Sequence, residues 1–222
     1  MVKLLFGVGI YDSKEPTKRT ENGITIWRNP YYTLWRNMLQ RCYYSDSQEK
    51  FPTYQGVKVV DEWLYYSNFV KWLKDQPQHD SWLHGKNMTL DKDIIQGYSR
   101  IYSPYTTVLV PQWLNKLLTE SKASRGKLPL GVSFSTDGKR YRARVSKNSE
   151  NLYLGLFDSP VQAHAAWQKA KAEIIENSVA EYDQQSECDL RVVDSLKRIA
   201  LKLKKDFETG VETVNYDWRG YE

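Results

Sequence analysis

Between Gly131 and Ile174 the hydrophobic pattern switches from a period of two to one of three to four, and few architectures accommodate that switch. The segment reads GVSFSTDGKRYRARVSKNSENLYLGLFDSPVQAHAAWQKAKAEI. Three short alternating runs, Gly131–Ser135, Tyr141–Ser146 and Leu152–Leu156, are separated by the turn-forming stretches TDGK and KNSEN. Asp158-Ser159-Pro160 then opens a helix whose Ala163, Ala166, Trp167 and Ala170 form a face of mostly small residues. Small side chains let a helix lie close to a sheet, so the pattern predicts three antiparallel strands covered on one face by one helix.

Period two also assigns the uncovered face. If Tyr141, Ala143 and Val145 point to the helix, Arg142, Arg144 and Ser146 point away together. On the third strand Leu152 and Leu154 face in, leaving Asn151 and Tyr153 out, and Ser133 and Ser135 join them from the first. A sheet face with two Arg, a Tyr and short polar groups suits a DNA groove. Lys139, Arg140 and Lys147, at the turns, are placed for flanking phosphates.

The charge distribution points the same way. The chain carries a formal +5, yet ten Lys or Arg against four Asp or Glu between Lys122 and Glu173 give that block +6 and leave the rest near neutral, at −1. A basic excess confined to one block suits a polyanion-binding module, a solvated charged face being the alternative on charge alone. The stretch SKASRGKLP, 121–129, is small, basic and rich in breakers, and reads as a linker. The expected organisation is therefore a domain over 1–120, the linker over 121–129, the basic module over 130–182, and a closing helix and tail over 183–222. No run reaches the roughly 20 apolar residues that span a bilayer. Cys42 and Cys188 stand far apart and form no metal-type pair, which suggests a reducing cytoplasm.

In the first half, Asn29-Pro30 starts a helix with the stripe Tyr32, Trp35, Met38, Leu39 and Cys42, after a polar lead-in over 1–29. Val57 and Val59 alternate around Lys58 as a short strand, and Ser67 is placed to cap a helix containing Phe69, Val70 and Leu73. Met88–Leu90 and Thr107–Val110 read as strands around a loop with Gly97 and Ser103-Pro104, and Pro111 opens a helix with Trp113, Leu114, Leu117 and Leu118. The closing helix aligns Leu190, Val193, Leu196, Ala200, Leu203 and Phe207. The whole is an α+β chain.

Two resemblances add to this reading. Gly131-Val132, Gly138-Lys139, Tyr141 and Ala143, Leu154-Gly155-Leu156-Phe157-Asp158 and the Ala-rich helix resemble the ethylene-response-factor (APETALA-type) DNA-binding domain. The resemblance implies double-stranded DNA as partner, contacted by Ser133, Ser135, Arg142, Arg144, Ser146, Asn151 and Tyr153. Ser133 and Ser135 stand where plant members usually have Arg, and Arg144 where they usually have Glu, so a different sequence preference is expected. The first half, with GVGIYD, LWRNMLQRCY, PTYQGVKVVDEWLYYSNF, LDKD, YSP and VPQWLN in order, resembles phage HNH-type (His-Me finger) endonucleases, which use a ββα-metal finger.

That second resemblance implies a homing-type nuclease in the cytoplasm of a phage-infected bacterium, with one Mg²⁺ (or Mn²⁺) held by Asp91 and Asn115. Lys92 falls where the base His of the family stands, and Thr106 where its central Asn fastens the loop. Lys92 suits phosphate charge rather than proton abstraction, and Asp93, sharing a strand face with Asp91, becomes the candidate base or second ligand. Catalytic duty is thus expected at Asp91, Lys92 and Asp93, with His79 and His84 as possible substitutes for the missing histidine. Turn or cap duty for Asp91 and Asp93 on a retained, inactive scaffold is the alternative, in which the chain only binds DNA, regulates, or engages a host protein.

Overall fold

The computed structural model describes residues 4–119, 126–147 and 150–219. Its elements are mixed α and β and fall into two compact units, Met1–Asp93 with Tyr98–Leu109, and Ile94–Gly97 with Val110–Glu222. The division does not fall at the expected linker, of which 121–125 lie outside the described residues. It comes earlier, at Val110, because the helix after Pro111 packs with the second unit's residues; Lys171 Nζ, for example, donates to Leu117 O at 2.5 Å.

The first unit is organised by helix α1 (Pro30–Tyr43). Asn29 Oδ1 accepts the Tyr32 N–H at 3.2 Å and Pro30 fills the first helical position, so the sequence signal for a start is matched by a real cap. The expected stripe packs inward: Trp35, Met38, Leu39 and Cys42 are buried and Tyr32 is half-buried. They meet Val57, Val59, Trp63, Tyr66, Phe69 and Leu73 in one core, where Trp35 Nε1 donates to the Trp63 carbonyl at 2.7 Å. A short helix α2 (Ser45–Lys50) follows α1, and strand β3 (Lys58–Val59) pairs in parallel with β5 (Ile101–Tyr102). Helix α3 (Tyr66–Lys74) is capped differently from expectation. Ser67 lies inside its first turn and donates from both its N–H and its hydroxyl to the Asp12 carboxylate, so a remote acid does the capping. Helix α4 is His79–Leu83, and β4 (Met88–Asp91) pairs with β6 (Val108–Pro111) in the expected strand, loop, strand order.

The lead-in holds an element absent from the sequence reading. Strands β1 (Lys18–Glu21) and β2 (Ile24–Arg28) form an antiparallel hairpin around Asn22-Gly23. Both turn residues have positive φ, 48° and 79°, as a tight hairpin turn requires.

The second unit starts with the short helix α5 (Gln112–Leu117) and contains the three-stranded sheet in the order β7 (Val132–Phe134), β8 (Tyr141–Lys147), β9 (Glu150–Phe157). Helix α6 (Pro160–Asp183), capped by Ser159, covers one face. Val132, Ala143 and Ala163 form the buried centre of that contact, flanked by Tyr141, Leu154 and Phe157. Gly131 is required by packing: at φ +75° a Cβ there would lie 2.0 Å from the Trp167 ring. His164, stacked on Trp167, bonds through Nδ1 to Leu130 O at 2.9 Å and accepts the Thr213 N–H at Nε2, as an imidazole protonated on Nδ1 does.

Helix α7 (Leu190–Thr209) packs on α6. Val193, Leu196, Ala200 and Leu203 are buried as the stripe predicts, whereas Leu190 and Phe207 are exposed. The buried face is rotated towards Val192, Ile199, Lys202 and Asp206, because the Lys202–Asp206 pair is itself enclosed and bonded to Thr213. Both cysteines are free thiols, and burial pushes that of Cys42 up to about 12, as befits a core residue. Among the described residues no helix is long and apolar enough to cross a membrane.

Candidate functional site

The uncovered sheet face is built by strand register. Val132 stands opposite Ala143 and Ser133 opposite Arg142; on the other side Ala143 meets Gly155, Arg144 meets Tyr153 and Ser146 meets Asn151. Cross-strand partners share a face, so Ser133, Arg142, Arg144, Ser146, Asn151 and Tyr153 lie together, opposite Ala143. The pairing jumps from Gly155 to Tyr153, which leaves Leu154 as an extra residue in a bulge. Gly155 adopts φ +130°, a conformation only glycine takes readily. The bulge turns Leu154 into the core while Tyr153 stays outside beside Arg144, 58% exposed.

The face is polar, basic and partly ordered by its own bonds. Arg142 is half-buried, and its Nη2 donates to Thr136 Oγ1 at 2.9 Å, which fixes the guanidinium along the sheet. Ser146 Oγ donates to Asn151 Oδ1 at 2.8 Å, so the bond uses the amide oxygen of an exposed Asn151 and not its NH₂ donors. Arg144 is exposed, and so are Lys139 and Arg140 at the β7–β8 turn and Lys147 at the end of β8. Asn148 and Ser149 of the KNSEN turn lie outside the described residues.

Ser135 does not take its expected place. It is not on the open face: β7 ends at Phe134, and Ser135 is 8% exposed. Its hydroxyl donates to Asp137 Oδ1 at 2.5 Å and accepts the Arg140 N–H at 2.9 Å, and this closes the turn. The same hydroxyl and the Lys139 N–H hold the Asp137 carboxyl below the usual range. A serine that can bond locally competes with the strand, and here the turn wins.

The finger region departs further from expectation. Strand β4 ends at Asp91, so Asp93 does not continue it; Asp91 Oδ1 accepts the Asp93 N–H at 2.8 Å in a side-chain-closed turn. The expected shared strand face for the two carboxylates therefore does not form, and Asp91 Oδ1 closes a turn. Lys92 is enclosed, its side chain 8% exposed, with Nζ 2.6 and 2.7 Å from the two Asp93 oxygens and 5.8 Å from the Tyr54 and Tyr102 rings. An ammonium so compensated is poorly placed to neutralise a phosphate. Thr106, by contrast, fastens the loop: its hydroxyl donates to Ile101 O at 2.7 Å and accepts the Ser103 N–H at 3.1 Å. Asn115 is half-buried on α5, its carbonyl bonded by Leu118 N and Thr119 Oγ1.

The two histidines expected as substitutes for the missing base are both held by bonds near α4. His79 bonds through Nε2 to the Tyr31 hydroxyl at 2.8 Å and through Nδ1 to Asp80, and His84 Nδ1 bonds to Asp80 O. One carboxylate oxygen of Asp91 is spent on a turn, Asp93 is neutralised by Lys92, and no group of three or more His, Cys, Asp or Glu is placed to hold a metal among the described residues.

Two features escaped the sequence reading though their signals were present. Asn22-Gly23 between KRTE and ITIWR is a hairpin signature, and a glycine inside the run LYLGLF signals a bulge. Comparison with known proteins gives no family model that matches the chain, and no curated protein or solved structure that matches it.

Proposed function

We propose that the protein binds double-stranded DNA through the uncovered face of β7, β8 and β9. The observation that carries this is the convergence of Ser133, Arg142, Arg144, Ser146, Asn151 and Tyr153 on one face while α6 seals the other. Arginine offers a two-pronged donor for guanine edges, Asn151 an amide donor, and Tyr153 an aromatic and hydroxyl contact. Lys139, Arg140 and Lys147 flank the face as phosphate contacts, which set position rather than sequence. The test is fluorescence anisotropy with labelled duplex across a salt series. Binding is expected to weaken steeply with salt and to fall about tenfold to hundredfold in Arg142→Ala/Arg144→Ala, the cost of losing one to two base contacts. Equal affinity of wild type and double variant would remove the sheet from the interface.

A second reading makes the segment from β4 through α5 an HNH-type endonuclease finger with a Mg²⁺ or Mn²⁺ ion. It is favoured by the strand order of β4 and β6 and by the loop fastened at Thr106. Because Asp91 Oδ1 closes a turn and Asp93 pairs with Lys92, the reading we favour for this region is a DNA-occupying scaffold without cleavage, acting in regulation or on a host partner. Incubating supercoiled DNA with protein and Mg²⁺ or Mn²⁺ separates the two. Nicking that disappears in Asp91→Ala and Asn115→Ala would establish the nuclease, and intact DNA at saturating protein would establish the scaffold.

A further inference from the structure

The hairpin of β1 and β2 spends almost none of its side chains on packing. Every residue of β1 is exposed, and in β2 only Thr25 is half-buried. Ile24 and Ile26 are 69% and 53% exposed near the turn, where burial against the body would ordinarily claim them. The ribbon is nonetheless well formed: the Asn22-Gly23 turn matches strand twist, the Arg19 guanidinium lies 5.1 Å from the Trp27 ring, and the Asn29 N–H bonds to Thr17 O where the ribbon enters the cap of α1.

Its charge pattern names an occupant. Lys18 and Arg28 are cross-strand partners, a like-charge pair that destabilises a ribbon in isolation. With Arg19, they face a single acid, Glu21, so the ribbon carries a net +2. A polyanion relieves that repulsion, whereas a second copy of the same ribbon adds to it. A two-stranded ribbon is also a shape that the major groove admits, and exposed isoleucines beside cations suit apolar contact with the thymine methyls there.

We infer that the β1–β2 ribbon is a second contact to duplex DNA, with Lys18, Arg19 and Arg28 on phosphates and Ile24 and Ile26 inside a groove. The inference rests on the duplex-binding reading of the sheet. Full-length protein, a random-sequence duplex and an anisotropy salt series test it. Lys18→Ala/Arg19→Ala/Arg28→Ala is expected to bind about tenfold to hundredfold more weakly and to lower the slope of log affinity against log salt by about 2 to 3, one phosphate contributing roughly 0.9. Ile24→Ser/Ile26→Ser is expected to keep the wild-type slope and lose affinity by about threefold to tenfold. Exposed positions leave the fold intact, which far-UV circular dichroism melts check. If the sheet variant Arg142→Ala/Arg144→Ala loses affinity but the ribbon cation variant matches wild type in affinity and slope, the ribbon inference is overturned and the sheet reading stands. If wild type binds no duplex, both fall. If sedimentation shows a wild-type dimer that Ile24→Ser/Ile26→Ser dissolves with DNA affinity unchanged, the ribbon joins two copies and the inference is overturned.

Discussion

The open face of β7–β9 and the turn after β4 both concentrate charge, and they use it in opposite ways. At the turn, Lys92 is closed in against Tyr54 and Tyr102 and its charge is cancelled by Asp93 beside it. On the sheet, Arg144 stands free in solvent next to Tyr153, and no acidic residue shares the face with Arg142 and Arg144 in the register of the three strands. A charge already compensated within the fold supports stability. A charge left facing water at a cost in self-repulsion is available to a partner. The contrast predicts a crossing pattern: substitutions at the turn should alter stability and spare DNA binding, and those on the sheet face should do the reverse.

The largest expected effect breaks the sheet itself. Gly131→Ala sets a methyl against the Trp167 ring at positive φ, and overpacking with backbone strain costs about 3 kcal/mol. Urea denaturation should show that loss, and DNA affinity should fall with it. Next, Arg142→Ala/Arg144→Ala should leave the unfolding free energy within about 0.5 kcal/mol of wild type while losing DNA affinity. Smaller is Asp93→Ala, which strands the enclosed Lys92 ammonium. Breaking a fully buried pair costs about 3–5 kcal/mol; because Asp93 is 44% exposed and solvent already screens it, about 1–2 kcal/mol is expected. Lys92→Met should be milder, within about 1 kcal/mol, since an apolar side chain suits the Tyr54 and Tyr102 surroundings. Unchanged DNA affinity in both turn variants would sharpen the contrast, and a loss there matching that of the sheet variant would break it.

The gentlest effect is on alkaline stability. Burial pushes the phenol of Tyr182 in the second unit up to about 12 from 10.0, and that of Tyr66 in the first likewise. Between those values the unfolded chain gives up protons that the folded chain keeps, so this contribution is complete below pH 10 and is lost as pH rises towards 12. Denaturation midpoints should therefore decline across that window. Tyr182→Phe should flatten the decline, at the expense of the hydrogen bond that its hydroxyl accepts from the Asp189 N–H.

Periodicity makes the helix and sheet faces legible in the sequence. The α1 stripe and the inward Ala143 and Val145 follow from it, because burial repeats with the period of the element. What periodicity does not carry is a side chain's choice to bond its own backbone. Ser135 left the strand for its turn, and Asp91 closed a turn instead of sharing a strand face with Asp93. The bulge at Leu154-Gly155 breaks strict alternation, yet it keeps both the leucine in and the tyrosine out. On α7 the buried face included Lys202 and Asp206, which a hydrophobic count passes over because each is acceptable only with its partner.

The central claim, that the uncovered face of β7–β9 receives duplex DNA, is tested most directly by backbone amide NMR of the full-length protein titrated with duplex. The account predicts salt-sensitive shifts concentrated at Ser133, Arg142, Arg144, Ser146, Asn151 and Tyr153, with the α6-facing Ala143 and Val145 nearly still. Shifts confined to the turn after β4, or to residues of α6 and α7, with the sheet unmoved, would contradict it.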